Sequence, residues 1–132
     1  MVSYRTPLAR ARGLGSAKSG AGHWIVERVT SVALVPLSLW AVCSGLSLAK
    51  VGYDGALAWL HSPLNAVLSV LLLAVSFQHM HAGLRVVVED YVHAPLGRNL
   101  LLLANLFVCV IGAALAIFCI LKVAFGPALI AS

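Results

Sequence analysis

Charge is scarce in this chain. Only 10% of its 132 residues are Asp, Glu, Lys or Arg, where a soluble domain carries about a quarter. That deficit excludes an ordinary water-solvated globular surface. Cysteine is scarce too. Cys43, Cys109 and Cys119 lie in apolar runs without paired spacing, which argues against a disulfide framework or a thiolate metal site and for small packing residues. No internal repeat is visible, and the chain is too short for a transporter built from repeats. The basic N-terminal segment has no interleaved aromatic residues, so anchoring at a membrane interface is a better reading than nucleic-acid binding.

What the chain has in abundance is apolar sequence: 61% hydrophobic residues and a mean hydropathy of +1.00. No charged residue falls between Arg28 and Lys50, between Asp54 and Arg85, or between Arg98 and Lys122. A spanning helix needs about 20 apolar residues, and each gap supplies them. The pattern predicts an all-α integral membrane protein with three spans, near 29–49, 63–88 and 100–124. The first apolar run is too long for the core of a signal peptide, and no small-residue cleavage site follows it.

The charges that remain are unevenly placed. Arg5, Arg10, Arg12, Lys18 and Arg28 precede the first span, and the loop after it carries only Lys50. Cationic flanks stay on the cytoplasmic side. The N-terminus is therefore expected in the cytoplasm and the C-terminus outside. Residues 1–22, rich in Gly, Ser and Ala, read as a flexible cytoplasmic segment. Residues 23–125 read as one three-helix transmembrane domain, and 126–132 as an external tail. Gly52 to Gly55 reads as a short external turn, Pro36 as a site for a kink, and Gly112 with Ala116 as a small-residue contact surface in the third span.

One stretch stands apart from this apolar background. His79 and His81 sit inside the second span, and Asp90-Tyr91 closes it. Ionisable groups inside a membrane are costly and are functional candidates by default. Eleven steps bring a helix back to within about 20° of its starting direction, so His79 and Asp90 share a face about 16 Å apart along the axis. Gly83 opens that face one turn after His79. Two steps turn the helix by about 200°, so His81 points away from His79 and the two are not a chelating pair. Arg85 can pair with Glu89 at i,i+4.

A neutral imidazole near mid-membrane with a glycine one turn away suits an axial ligand to haem, an apolar disc that needs close backbone approach. One useful histidine implies a second ligand from another chain. Haem propionates need cations at the cytoplasmic end, and Arg28 and His23 sit at that depth. Two alternatives stay open at this point. A lone membrane histidine serves as a helix–helix hydrogen-bond residue about as often as it binds a cofactor. Asp90-Tyr91 can equally be interfacial anchoring.

The order His79-x3-Gly83-x6-Asp90-Tyr91, continued by Val92-His93, resembles the small hydrophobic membrane-anchor subunit of succinate dehydrogenase. Gly22-His23 followed by Arg28-Val29-Thr30 at the start of the first span adds to the likeness, which covers about residues 15–125. The resemblance implies three transmembrane helices forming half of a heterodimeric bundle with a second, cytochrome b-type anchor. That bundle carries an iron–sulfur subunit and a flavoprotein subunit on its cytoplasmic side. His79 matches the axial ligand of haem b, the metal-binding residue, with the haem shared between the two anchors. Arg28 and, more weakly, His23 match residues near the propionates. Tyr91 matches the tyrosine that hydrogen-bonds a ubiquinone carbonyl, and Asp90 the acidic neighbour that holds a partner arginine. His81 has no assigned role. Succinate oxidation would occur on another subunit, with this one helping to deliver electrons to ubiquinone.

Two rivals accompany that reading. One is the anchor of a quinol:fumarate reductase, running the same chemistry in reverse. The other is a non-redox membrane adaptor whose histidines only join helices. The absence of an evident long transit peptide favours a bacterial inner membrane over a mitochondrial one.

Overall fold

The computed structural model describes residues 4, 6–13 and 21–126. The expected external tail, 126–132, lies outside the described residues apart from Gly126, and so does much of the 1–22 segment. Among the described residues all regular structure is helical: α1 (Pro7–Ala11), α2 (Ala21–Leu48), α3 (Gly52–His61), α4 (Pro63–Tyr91) and α5 (Pro95–Ala124). Three of these, α2, α4 and α5, are long and apolar enough to cross a membrane. The chain is a multi-pass membrane protein.

The long helices have 28, 29 and 30 residues. At a rise of about 1.5 Å per residue they reach about 42–45 Å, well past a hydrocarbon core of about 30 Å. The surplus explains why they outrun the expected spans. α2 begins at Ala21 and carries Trp24, Glu27 and Arg28 through the interface in helical form. α4 ends at Tyr91, and α5 already starts at Pro95. Pro63 and Pro95 occupy the first turns of their helices, where the missing N–H has no intrahelical partner to lose. Pro36 lies inside α2 without ending it.

In a bilayer every backbone group and every small polar side chain needs a partner from protein. Serines meet this demand within α2: Ser31 donates to the Glu27 carbonyl (2.8 Å), Ser38 to Val35 (3.1 Å) and Ser47 to Cys43 (3.0 Å). Among the described residues no buried polar side-chain atom lacks a partner. Cys43, Cys109 and Cys119 are free thiols.

α4 is the middle of a row. α2 packs on one side of it and α5 on the other, and α2 and α5 do not touch each other. At the α4–α5 seam Gly112 makes room for the Phe77 ring; a Cβ at Gly112 would lie 2.8 Å from Phe77 Cε1. The small-residue surface on α5 therefore meets an aromatic ring within the same chain at Gly112. The interior is thin. Only Thr30, Ala66, Ala82 and Cys109 are buried among the described residues, while large apolar side chains on all three long helices stay exposed.

The loop after α2 corrects the sequence reading. The turn expected over residues 52–55 is the start of a helix, α3, that continues to His61. Gly52, at φ +59°, makes the change of direction alone. The apolar run that follows it then coils onto the bundle. α3 is fastened at its end: Trp40 and Trp59 stack with centroids 5.7 Å apart, and Asn65 donates to the Trp59 carbonyl at 2.9 Å. His61 Nδ1 lies 3.1 Å from the carbonyl of Ala124, the last residue of α5, and the Phe125 N–H donates to the Leu121 carbonyl at the same helix end at 2.9 Å.

Candidate functional site

His79 lies near the middle of α4, about 18 Å along the axis from Tyr91. Its Nδ1 is 3.0 Å from Thr30 Oγ1 on α2. Thr30 is the one buried polar residue among those described. Its hydroxyl also lies 2.9 Å from the Val26 carbonyl and 3.0 Å from the Glu27 carbonyl. His79 as a whole is half-buried. Gly83 is one turn further on, and a Cβ built there would meet nothing within 4 Å. The space beside Gly83 is thus open on this chain.

His81 points to the other neighbour. Asn105 Nδ2 of α5 lies 3.2 Å from His81 Nδ1 and donates to the His81 carbonyl at 3.0 Å. The Cys109 thiol donates to Asn105 Oδ1 at 3.3 Å. An amide N–H can only donate, so His81 Nδ1 accepts and its proton sits on Nε2. The opposition of the two histidines expected from helical phase is therefore realised, one toward α2 and one toward α5.

His23 and Arg28, paired by depth, part by direction. Seven steps separate His23 from Thr30, a rotation within about 20° of two full turns, whereas Arg28 lies about 160° away from Thr30 around α2. His23 accordingly borders a groove of about 340 Å³ shared with Gln78, His81 and Arg85 of α4. Arg28 is exposed and stacks over Trp24 at 5.4 Å. The chain does not bring Arg28 to His79. At the helix end Asp90 is exposed and Tyr91 is 78% exposed. Among the described residues the only salt bridge is Arg85–Glu89, at 2.8 Å, so Asp90 makes no ion pair there. A hollow of about 850 Å³ around Tyr53, His61 and Phe125 lies at the opposite end of the bundle from Tyr91.

Among the described residues no three His, Cys, Asp or Glu side chains gather to hold a metal ion. Any metal at His79 needs donors from elsewhere. What fits a planar iron-bearing group is the donor set itself: a half-buried imidazole held at Nδ1 and a side-chain-free position one turn away.

Comparison with known proteins decides the family. Residues 2–121 match the succinate dehydrogenase/fumarate reductase transmembrane subunit family. The chain belongs to that family. Named relatives agree. The succinate dehydrogenase hydrophobic membrane anchor subunit of Rickettsia conorii is 31% identical over 112 residues, covering 84% of this chain and 89% of the relative. The protein of the same name from Rickettsia bellii is 35% identical over 103 residues, 76% and 81%. That from Paracoccus denitrificans is 32% identical over 93 residues, 68% and 70%. No solved structure matches.

Family membership makes the two unforeseen polar contacts more telling. Thr30 and Asn105 each engage one of the two span histidines, and neither stood out as a site residue in the sequence. Asn105 was signalled by being an amide deep inside a charge-free run, six residues past Asn99. Thr30 was signalled by its place in the Arg28-Val29-Thr30 stretch of the resemblance and by phase, since it repeats the direction of His23 on α2.

Proposed function

We propose that the chain is the hydrophobic membrane-anchor subunit of a succinate:ubiquinone oxidoreductase, in a bacterial inner membrane with its N-terminus in the cytoplasm. The observation that carries this reading is the family match over residues 2–121. In this role α2, α4 and α5 join the helices of a second, cytochrome b-type anchor and hold an iron–sulfur and a flavoprotein subunit at the cytoplasmic surface. The thin interior supports it: a chain with four buried residues among those described has most of its apolar surface left for lipid and partner helices.

His79 would hold haem b through Nε2, with the second ligand from the partner anchor. When bound, the haem supplies a one-electron carrier within the bilayer. His79 orients the iron and Gly83 leaves room for the ring. Arg28 and His23, at the cytoplasmic end of α2, balance the propionates, Arg28 from the partner-facing side. Tyr91 ends α4 with an exposed phenol, at the depth where a quinone with its tail in lipid rests its head group. That hydroxyl donates a hydrogen bond to a ubiquinone oxygen as negative charge develops there. Asp90, exposed at the end of α4, holds an arginine of the partner.

The test is purification of the complex through a tag on this chain. The flavoprotein, iron–sulfur and second anchor subunits should co-purify, with a b-type band in the reduced-minus-oxidised spectrum. Quinone reduction without that band would make this a haem-free anchor. Purification without dehydrogenase subunits would leave an adaptor. A reporter fused after Ser132 should behave as external; cytoplasmic behaviour would refute the orientation.

A further inference from the structure

We infer that Thr30 is a positioning residue that fixes the tautomer and ring plane of His79, and so prepares Nε2 to bind iron. The inference rests on the reading of His79 as the haem ligand.

The Thr30 hydroxyl has one hydrogen and two lone pairs, too few hydrogens for its neighbours. Three groups surround it: the Val26 carbonyl at 2.9 Å, the Glu27 carbonyl at 3.0 Å and His79 Nδ1 at 3.0 Å. The carbonyls can only accept. If the hydroxyl donates to His79 Nδ1, both carbonyls lose it, one bond forms, and the imidazole proton sits on Nε2. If the hydroxyl donates back to its own helix, Nδ1–H donates to Thr30 Oγ1, and two bonds form. A lone pair then remains on Nε2. Burial favours the second arrangement, because Thr30 is buried and each hydrogen bond counts for more where water is excluded. In the second arrangement the imidazole is the donor, and it is in the only neutral form that can ligate through Nε2.

Metal-bound histidines depend on the partner of their other nitrogen, and loss of that partner typically costs about 10–100-fold in metal affinity or activity. Thr30 also tunes the ligand. An Nδ1–H bond to oxygen strengthens electron donation from Nε2, which favours ferric over ferrous iron. The neighbouring pair is a built-in contrast: Asn105 forces the opposite tautomer on His81, which then cannot ligate through Nε2.

The experiment uses the whole complex in its membrane. Thr30→Val keeps the shape and removes the hydroxyl; Thr30→Ala removes it with less bulk; Thr30→Ser keeps it. Haem-to-flavin ratio, redox midpoint and the low-spin ferric EPR signal are measured for each. Val and Ala should weaken haem retention roughly tenfold or more and raise the midpoint. A tenfold selective loss of the ferric form equals about 59 mV for one electron. Ser should restore both. A native midpoint, haem content and EPR signal in Val and Ala would overturn the inference. If neither assembles, Ser decides: native behaviour supports the hydroxyl's role, and failure of Ser, which lacks only a methyl, overturns it. His79→Ala runs alongside. Haem that survives that change overturns the ligand reading itself, whatever Thr30 does.

Discussion

The two seams of α4 use the same residue type in opposite ways. Toward α2, His79 Nδ1 meets a buried hydroxyl that also lies within bonding distance of carbonyls of its own helix, the arrangement in which, on our inference, the ring donates from Nδ1 and keeps Nε2 open. Toward α5, His81 meets an amide that can only donate, so the ring accepts at Nδ1 and carries its proton on Nε2. Two residues of separation and two different partners divide the labour. One seam carries the proposed ligand. The other is helix-to-helix fastening, extended by the Cys109–Asn105 bond. A histidine inside a membrane is thus not one kind of signal; the polar group across the seam decides what it offers.

The largest expected effect breaks the contrast outright. His79→Ala should abolish the b-type spectrum, while His81→Ala should keep it; loss of haem in His81→Ala alone would reverse the assignment. Next comes the quinone end. Tyr91→Phe keeps the ring but removes its only donor, and a lost bond that mainly serves a transition state costs about 3 kcal/mol, or roughly a hundredfold in rate. Succinate-to-quinone activity should fall by that order, with succinate oxidation by an artificial upstream acceptor preserved and the haem band intact. Equal loss of both activities would indicate failed assembly, and unchanged quinone reduction would remove Tyr91 from the site.

The fastening seam should respond more mildly. Polar contacts between membrane helices contribute about 0.6 kcal/mol on average and up to about 1.7. Asn105→Ala should therefore lower the thermal stability of the purified complex by a few degrees and leave the haem spectrum unchanged; a lost spectrum would show that this seam reaches the haem too. The smallest effect is expected at Arg85→Ala. Its ion pair with Glu89 is exposed, at 47% and 41% for the two side chains, and such pairs contribute little. A large loss of stability or activity there would mean that Arg85 works in the groove it shares with His23.

The spans were legible because membrane insertion is nearly one-dimensional. A charge-free run of sufficient length fixes a helix, whatever packs against it. Their ends were less legible. Charge marks where lipid stops, whereas α2 continues through Arg28 and Glu27 to Ala21 because nothing in those residues breaks a helix. α3 was obscured by its own first residues: Gly52 and Gly55 carry turn composition, yet only Gly52 has a positive φ. The opposed histidines were readable from helical phase. Their partners were not, because Thr30 lies 49 residues from His79 and Asn105 lies 24 from His81, and no local periodicity links such distances. Arg28 shows the limit of depth as a guide. It shares the first turns of α2 with His23 but points away from α4 by helical phase, a distinction that hydropathy does not contain.

The Asn105–His81 bond also bears on how the chain is made. α4 carries Gln78, His79, His81 and Arg85, so on its own it is the costliest of the three long helices to pass from the translocon into lipid. α5, with no charge between Arg98 and Lys122, is the easiest. Only residues 92–94 separate them. A segment that leaves as a hairpin with its successor meets its amide partner before it meets hydrocarbon. The order of synthesis thus puts the helix with the most polar side chains immediately before the helix whose amide meets one of them.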